Sequence, residues 1–216
     1  MKVDVLVPNS LKEVSLEQYQ KFLKIQKDNE DETFLAIKMI EIFCGIRGDN
    51  IMKMKASSIR KITGILADMF NEKPPLVKEF TMKGVEYGFI PKLEDMSFGE
   101  YVDLDTYMGD IENLHKAMAV LYRPITIKQN DKYLIEEYEG EDTEIMKDMP
   151  MDAVLGAIIF FYHLGMDLSK YMLNSLQDQE NKHILEQLTL EENGDGINQF
   201  SSSLKGILEG LKISLN

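Results

Sequence analysis

The sequence contains a single cysteine, Cys44, no tryptophan, and only three arginines, Arg47, Arg60 and Arg123. One thiol excludes an intramolecular disulfide and a cysteine-based zinc site. Within "IEIFCGI" it reads as a buried, inert side chain. Positive charge is scarce: 24 Lys and Arg stand against 37 Asp and Glu, for a net charge of −13 over 216 residues. Phosphate backbones are held by clustered Lys and Arg, so this balance argues against nucleic acid as the main partner. It argues equally against an anionic membrane surface. A basic protein surface, or simple solubility, is more consistent with it.

Long apolar runs are also missing. The longest, "AVLGAIIFFYHLGM" at 153–166, is too short for a membrane span and contains His163. "MKVDVLVPNS" has no apolar stretch of signal-peptide length, so the expectation is a soluble chain. No internal repeat or low-complexity linker stands out. Apolar residues nevertheless make up 44% of the chain, enough to bury one substantial core. Fourteen methionines supply adaptable thioethers for that core or for an interface.

Helical and strand periods alternate along the chain. Val3, Val5 and Val7 alternate in a short extended arm that Pro8 ends. "SLEQ" is a capping box, Ser15 with Gln18, ahead of a stripe through Leu16, Tyr19, Phe22 and Leu23. "TFLAIKMIEIFCGI" predicts a second helix ending at Gly45 or Gly48, and "SIRKITGILADMF" a third, stopped by Pro74 and Pro75. The period then switches to two. Residues near 76–91 alternate on both sides of Lys83–Gly84, which predicts a β-hairpin. "SFGE", Ser97 with Glu100, is a second capping box, and Asp110 is a candidate cap for a further helix that Pro124 ends. "ITIKQNDKYLIEEY" reads as a weaker hairpin turning at Asn130–Asp131, and "EGEDTE" as a solvated acidic loop. Asp148 and Pro150 introduce a helix apolar nearly all round, the expected centre of the core.

The fold class expected is α+β, mainly α-helical with one or two small β-hairpins. Residues 1–196 form one domain, and "NGDG" separates it from an amphipathic helix at 197–216. The stripe Phe200, Leu204, Ile207, Leu208 and Leu211 in that helix, together with Val3, Val5 and Leu6 in the arm, is the candidate partner-binding surface.

Signs of chemistry are few. Two Glu-x-x-His motifs, Glu112/His115 and Glu180/His183, have the i, i+3 spacing of a di-metal carboxylate site in a helical bundle. Such a site needs two more carboxylates. Glu41 is available mid-helix, whereas the buried helix offers only Asp152 at its start, so one corner is missing. "DLDTYMGD" fails as a calcium loop, because Tyr107 holds the fifth position and Gly109 the seventh. "GIRGDN" lacks the Gly-Lys-Ser/Thr ending of a phosphate loop. Its "RGD" reads as a helix-terminal turn. Neither a cofactor nor a metal is expected.

"VPNSLKEVSLEQYQKFLKI" and "MSFGEYVDLDTYMGDIENLHKAMAVLYRPI" resemble uncharacterised proteins of tailed bacteriophages, including crAss-like phages. The resemblance implies a non-enzymatic virion component of the portal or tail region, a ring or cargo protein. Its partners would be other phage structural proteins or copies of itself. The same resemblance admits a tail-assembly chaperone, and the paired Glu-x-x-His motifs keep a metal enzyme as a third reading. It implies residence in the virion, and in host cytoplasm before assembly. It carries over no catalytic residue.

Overall fold

A computed structural model describes residues 5–140, 143–177 and 205. Its helices are α1 (Leu16–Lys27), α2 (Glu32–Cys44), the short α3 (Gly48–Ile51), α4 (Ala56–Phe70), α5 (Phe98–Met108), α6 (Leu114–Leu121) and α7 (Met151–Gln177). Its strands are β1 (Glu79–Met82), β2 (Val85–Phe89), β3 (Tyr122–Gln129) and β4 (Lys132–Ile135), in one antiparallel sheet of order β1-β2-β3-β4. The class is α+β, mainly helical. The two predicted hairpins are present, and pairing of Gly88 with Arg123 and Phe89 with Tyr122 joins them into a single sheet.

The local signals act as their chemistry requires. Ser15 and Gln18 satisfy each other's backbone N–H at the start of α1. Gly45 closes α2 at a φ of 65°. Tyr19, Phe22, Phe43 and Phe70 then interlock α1, α2 and α4, with ring centroids 4.9–5.5 Å apart. A second aromatic cluster holds the sheet to α7: Phe89 meets Tyr122 at 5.2 Å and Phe160 at 5.8 Å. The Tyr122 hydroxyl donates to the Val77 carbonyl at 2.8 Å, so its buried polar end is satisfied.

The first three turns of α7 are the buried centre, with Met151, Ala153, Val154, Leu155, Ala157 and Ile158 all closed to solvent. Gly156 allows this approach. A Cβ there would sit 2.4 Å from the Pro75 carbonyl oxygen, so the helix lies directly on the chain that leaves α4. The start of α7 is tied to the start of α1. Leu16 N–H donates to the Met149 carbonyl and Met151 N–H to the Val14 carbonyl, both at 2.9 Å.

Three expectations need correction. Asp110 does not cap a helix at Ile111. Its carboxylate accepts from the Glu112 N–H at 3.0 Å and the Asn113 amide at 2.7 Å, which stabilises a turn, and α6 begins only at Leu114. Pro124 does not end α6, since the helix stops at Leu121 and Pro124 lies inside β3. A strand tolerates it there because its carbonyl still accepts from the Glu136 N–H and a register shift follows between Ile125 and Ile127. The end of the acidic stretch is not wholly loop, because Thr143–Asp148 forms a 3-10 helix. Asp148 pairs with Lys83 at 2.5 Å, across from the hairpin turn.

Candidate interaction surface

The two arms singled out in the sequence meet different ends. Val3 and the stripe Phe200, Leu204, Ile207, Leu208 and Leu211 lie outside the described residues. The apolar residues in the described part of the N-terminal arm are largely committed to the protein's own core: Leu11 and Val14 are buried, Val5 and Val7 pack half-buried against the core, and of these apolar residues Leu6 alone is strongly exposed, at 88%.

A different surface stands out on α5. Ser97 starts this helix with a capping box, its Oγ accepting from the Glu100 N–H at 3.2 Å while Glu100 Oε2 accepts from the Ser97 N–H at 2.6 Å. Glu100 Oε1 also lies 2.8 Å from Arg123 Nη2, and both side chains are nearly closed to solvent. One carboxylate thus caps the helix and ties it to β3. Asp103 adds a second tie by accepting from the Tyr138 hydroxyl at 2.8 Å. On the inner side Leu104 and Met108 enter the core.

The outer side carries Phe98, Tyr101 and Val102, at i, i+3 and i+4, exposed by 81%, 58% and 42%. Asp105 continues the stripe one turn on, and Gly99 faces open space. Tyr101 shares its side of the helix with Leu104 and Met108, three and seven residues on, so the apolar surface of α5 runs from the core contact outward to Phe98 and Val102, beyond what the core covers. The exposed charges leading into and along α5 are mainly acidic, Glu94, Asp95 and Asp105, with Lys92 paired to Asp95 at 3.5 Å. The capping signals at Ser97, Glu100 and Asp110 account for the polar residues of this stretch and leave Phe98, Tyr101 and Val102 unmarked. The width of the apolar arc, which Phe98 and Val102 extend beyond the stripe Tyr101, Leu104 and Met108, is the signal that points to them.

Beside this helix an open groove of about 1690 Å³ runs from Ser97 and Glu100 past Arg123 to Tyr133 and Ile135 of β4, with Phe160 and Leu164 of α7 on one wall. Tyr133 lies across Gly88, where a Cβ would fall 2.5 Å from its ring, and donates its hydroxyl proton to the Phe89 carbonyl at 2.7 Å.

Among the described residues the candidate metal ligands are not brought together. Glu112 sits in the turn before α6 and points from an exposed position, so it does not share a helical face with His115. Glu41 is engaged by Lys38 at 2.6 Å, which holds its carboxyl below the usual range. Asp152 accepts from the Ala153 N–H at 2.9 Å, and burial pushes its carboxyl up. Glu180 and His183 lie outside the described residues. Among the described residues no group of three His, Cys, Asp or Glu is placed to hold a metal ion. Cys44 is half-buried, and burial pushes its thiol up, away from the nucleophilic form.

His115 is buried, with its side chain only 4% exposed. Glu144 Oε1 approaches Nε2 to 3.2 Å, off the line of an N–H bond, and neither ring nitrogen has a hydrogen-bond partner among the described residues. Burial, reinforced by Lys147 and Lys116 and opposed by Glu144, holds the imidazole below its usual range, so it is kept neutral. It packs α6 against the 3-10 helix at 143–148.

Among the described residues no helix is long and apolar enough to cross a membrane. Compared with known proteins, the chain matches no family model, no curated protein and no solved structure.

Proposed function

We propose that this protein is a non-enzymatic component of bacteriophage particles, in the portal–tail region, that works by binding other proteins. The bacteriophage assignment rests on the resemblance of residues 97–125 and of the N-terminal stretch. The observation that carries the binding role is the outer face of α5, where Phe98, Tyr101 and Val102 stand in solvent on a helix fixed from behind by Glu100 and Asp103. A contiguous apolar stripe on a rigid element is the usual form of a protein contact. The acids around it, and the net charge of −13, select the occupant: an apolar helix or groove on a neighbouring virion protein, bordered by Lys or Arg.

Quantitative mass spectrometry of purified particles tests this reading. The expected result is a fixed copy number per particle, reduced when Phe98→Ser and Tyr101→Ser are introduced together. Absence from particles, with capture of a tail protein from infected cells, would replace it with an assembly-chaperone role on the same surface.

A further inference from the structure

Strand β4 is an edge of the sheet, and its outer side has no strand partner among the described residues. Three of its neighbouring positions, Lys132, Leu134 and Glu136, alternate with the half-buried Tyr133 and Ile135, so the three share one face. All three are exposed, Leu134 by 59%. Its register partner Ile127 is exposed by 61% and shares that face. Neither Lys132 nor Glu136 is in an ion pair among the described residues, whereas the nearby Lys128 is clasped by Glu79 and Glu86 on the other face.

From this pattern we infer that β4 pairs with β4 of a second copy, antiparallel, across a two-fold axis at Leu134. A two-fold axis normal to the sheet keeps each residue on its own face, so only a register centred on a residue is allowed. Centring on Leu134 sets Leu134 against itself, Tyr133 against Ile135 of the second copy, and Lys132 against Glu136 of the second copy, twice. Ile127 flanks each Leu134, so four aliphatic side chains leave water together. A lone lysine on an edge repels a like strand and is a common guard against such pairing. Here the glutamate at the mirror position converts that repulsion into attraction. The contact is one strand wide, well below the size of a permanent interface, and forms a weak dimer that avidity in an assembly would strengthen.

This surface is separate from the outer face of α5, and the two fail separately. Sedimentation equilibrium of the full chain at physiological ionic strength tests the pairing. The wild type is expected to be a reversible dimer, with the Tyr133 and Ile135 amides, which face the free edge, exchanging more slowly as concentration rises. Lys132→Glu and Glu136→Lys, each alone, weaken it at least about tenfold, and combining both restores it. Leu134→Glu sets two carboxylates face to face and leaves a monomer with an unchanged circular dichroism spectrum. Phe98→Ser leaves the dimer intact. A chain that stays monomeric at high concentration, a dimer indifferent to the charge reversals, or one lost in Phe98→Ser overturns the proposal.

Discussion

Hairpin β1–β2 turns at Lys83–Gly84, with φ of 50° and 82°, and hairpin β3–β4 turns at Asn130–Asp131, with φ of 54° at Asn130. Both are two-residue connections between alternating strands, and both use left-handed backbone to follow the strand twist. Their surroundings differ. Tyr87 of the first is buried on the Phe80 ring and Phe89 against Tyr122 and α7, whereas Ile127 and Leu134 of the second stand in solvent. Turn chemistry makes a hairpin; it does not say whether its apolar face is used inside the molecule or offered outside it. The first hairpin buries its aromatic face in the core, and the second leaves Ile127 and Leu134 outside it, where the pairing proposed above would cover them.

Substitutions that sample both hairpins break or sharpen that contrast. The largest effect is expected at Phe89→Ala, which empties the junction of sheet and α7 and costs about 3–5 kcal/mol in urea unfolding. Arg123→Met is of similar size, about 3–5 kcal/mol, because Glu100 is left buried without its cation, and a double variant with Glu100→Gln recovers much of the loss. If Arg123→Met alone cost under about 1 kcal/mol, the pair would behave as a surface bridge and β3 would not be anchored as described.

His115 gives a smaller, pH-dependent effect. Its folded-state value lies below the ordinary 6.5, so the unfolded chain takes up the proton first. Stability from this group is complete above that range and is lost as pH falls from 6.5 toward the lowered value. The melting temperature of the wild type therefore drops on acidification through this window, and that of His115→Gln drops less. Equal drops would show that the imidazole titrates freely. The smallest effect belongs to the second hairpin: Leu134→Thr and Ile127→Thr each change monomer stability by no more than about 0.5 kcal/mol. A loss comparable to Phe89→Ala would place these side chains in the core and remove the contrast.

Much of the fold was legible because it is local. Ser15/Gln18 and Ser97/Glu100 announce helix starts through bonds spanning three residues, and Lys83–Gly84 and Asn130–Asp131 announce turns through backbone preference. The joining of β2 to β3 was not legible, since it depends on Gly88 meeting Arg123 across an intervening helix pair. Pro124 obscured it further, by reading as a helix stop. The candidate surface was hidden for a different reason. The apolar positions of 98–108 span one broad arc, and nothing in one sequence says how much of it the core covers until Leu104 and Met108 are seen buried and Phe98, Tyr101 and Val102 exposed. Asp110 shows the limit of motif reading, as the same carboxylate chemistry that caps helices can instead hold a turn.

The bridge between Ser15 and Pro150 has a consequence for synthesis. Those residues are separated by roughly 135 positions, which a ribosome needs on the order of ten seconds or more to add. Until then α1 can meet α2 and α4 through Tyr19 and Phe22, but the backbone at Val14 and Leu16 lacks its partners at Met151 and Met149. Ribosome-bound chains stopped short of Met149 are therefore expected to be cut readily by protease near Leu16, and chains extended past α7's first turns to resist. The molecule closes like a clasp, its early residues secured last.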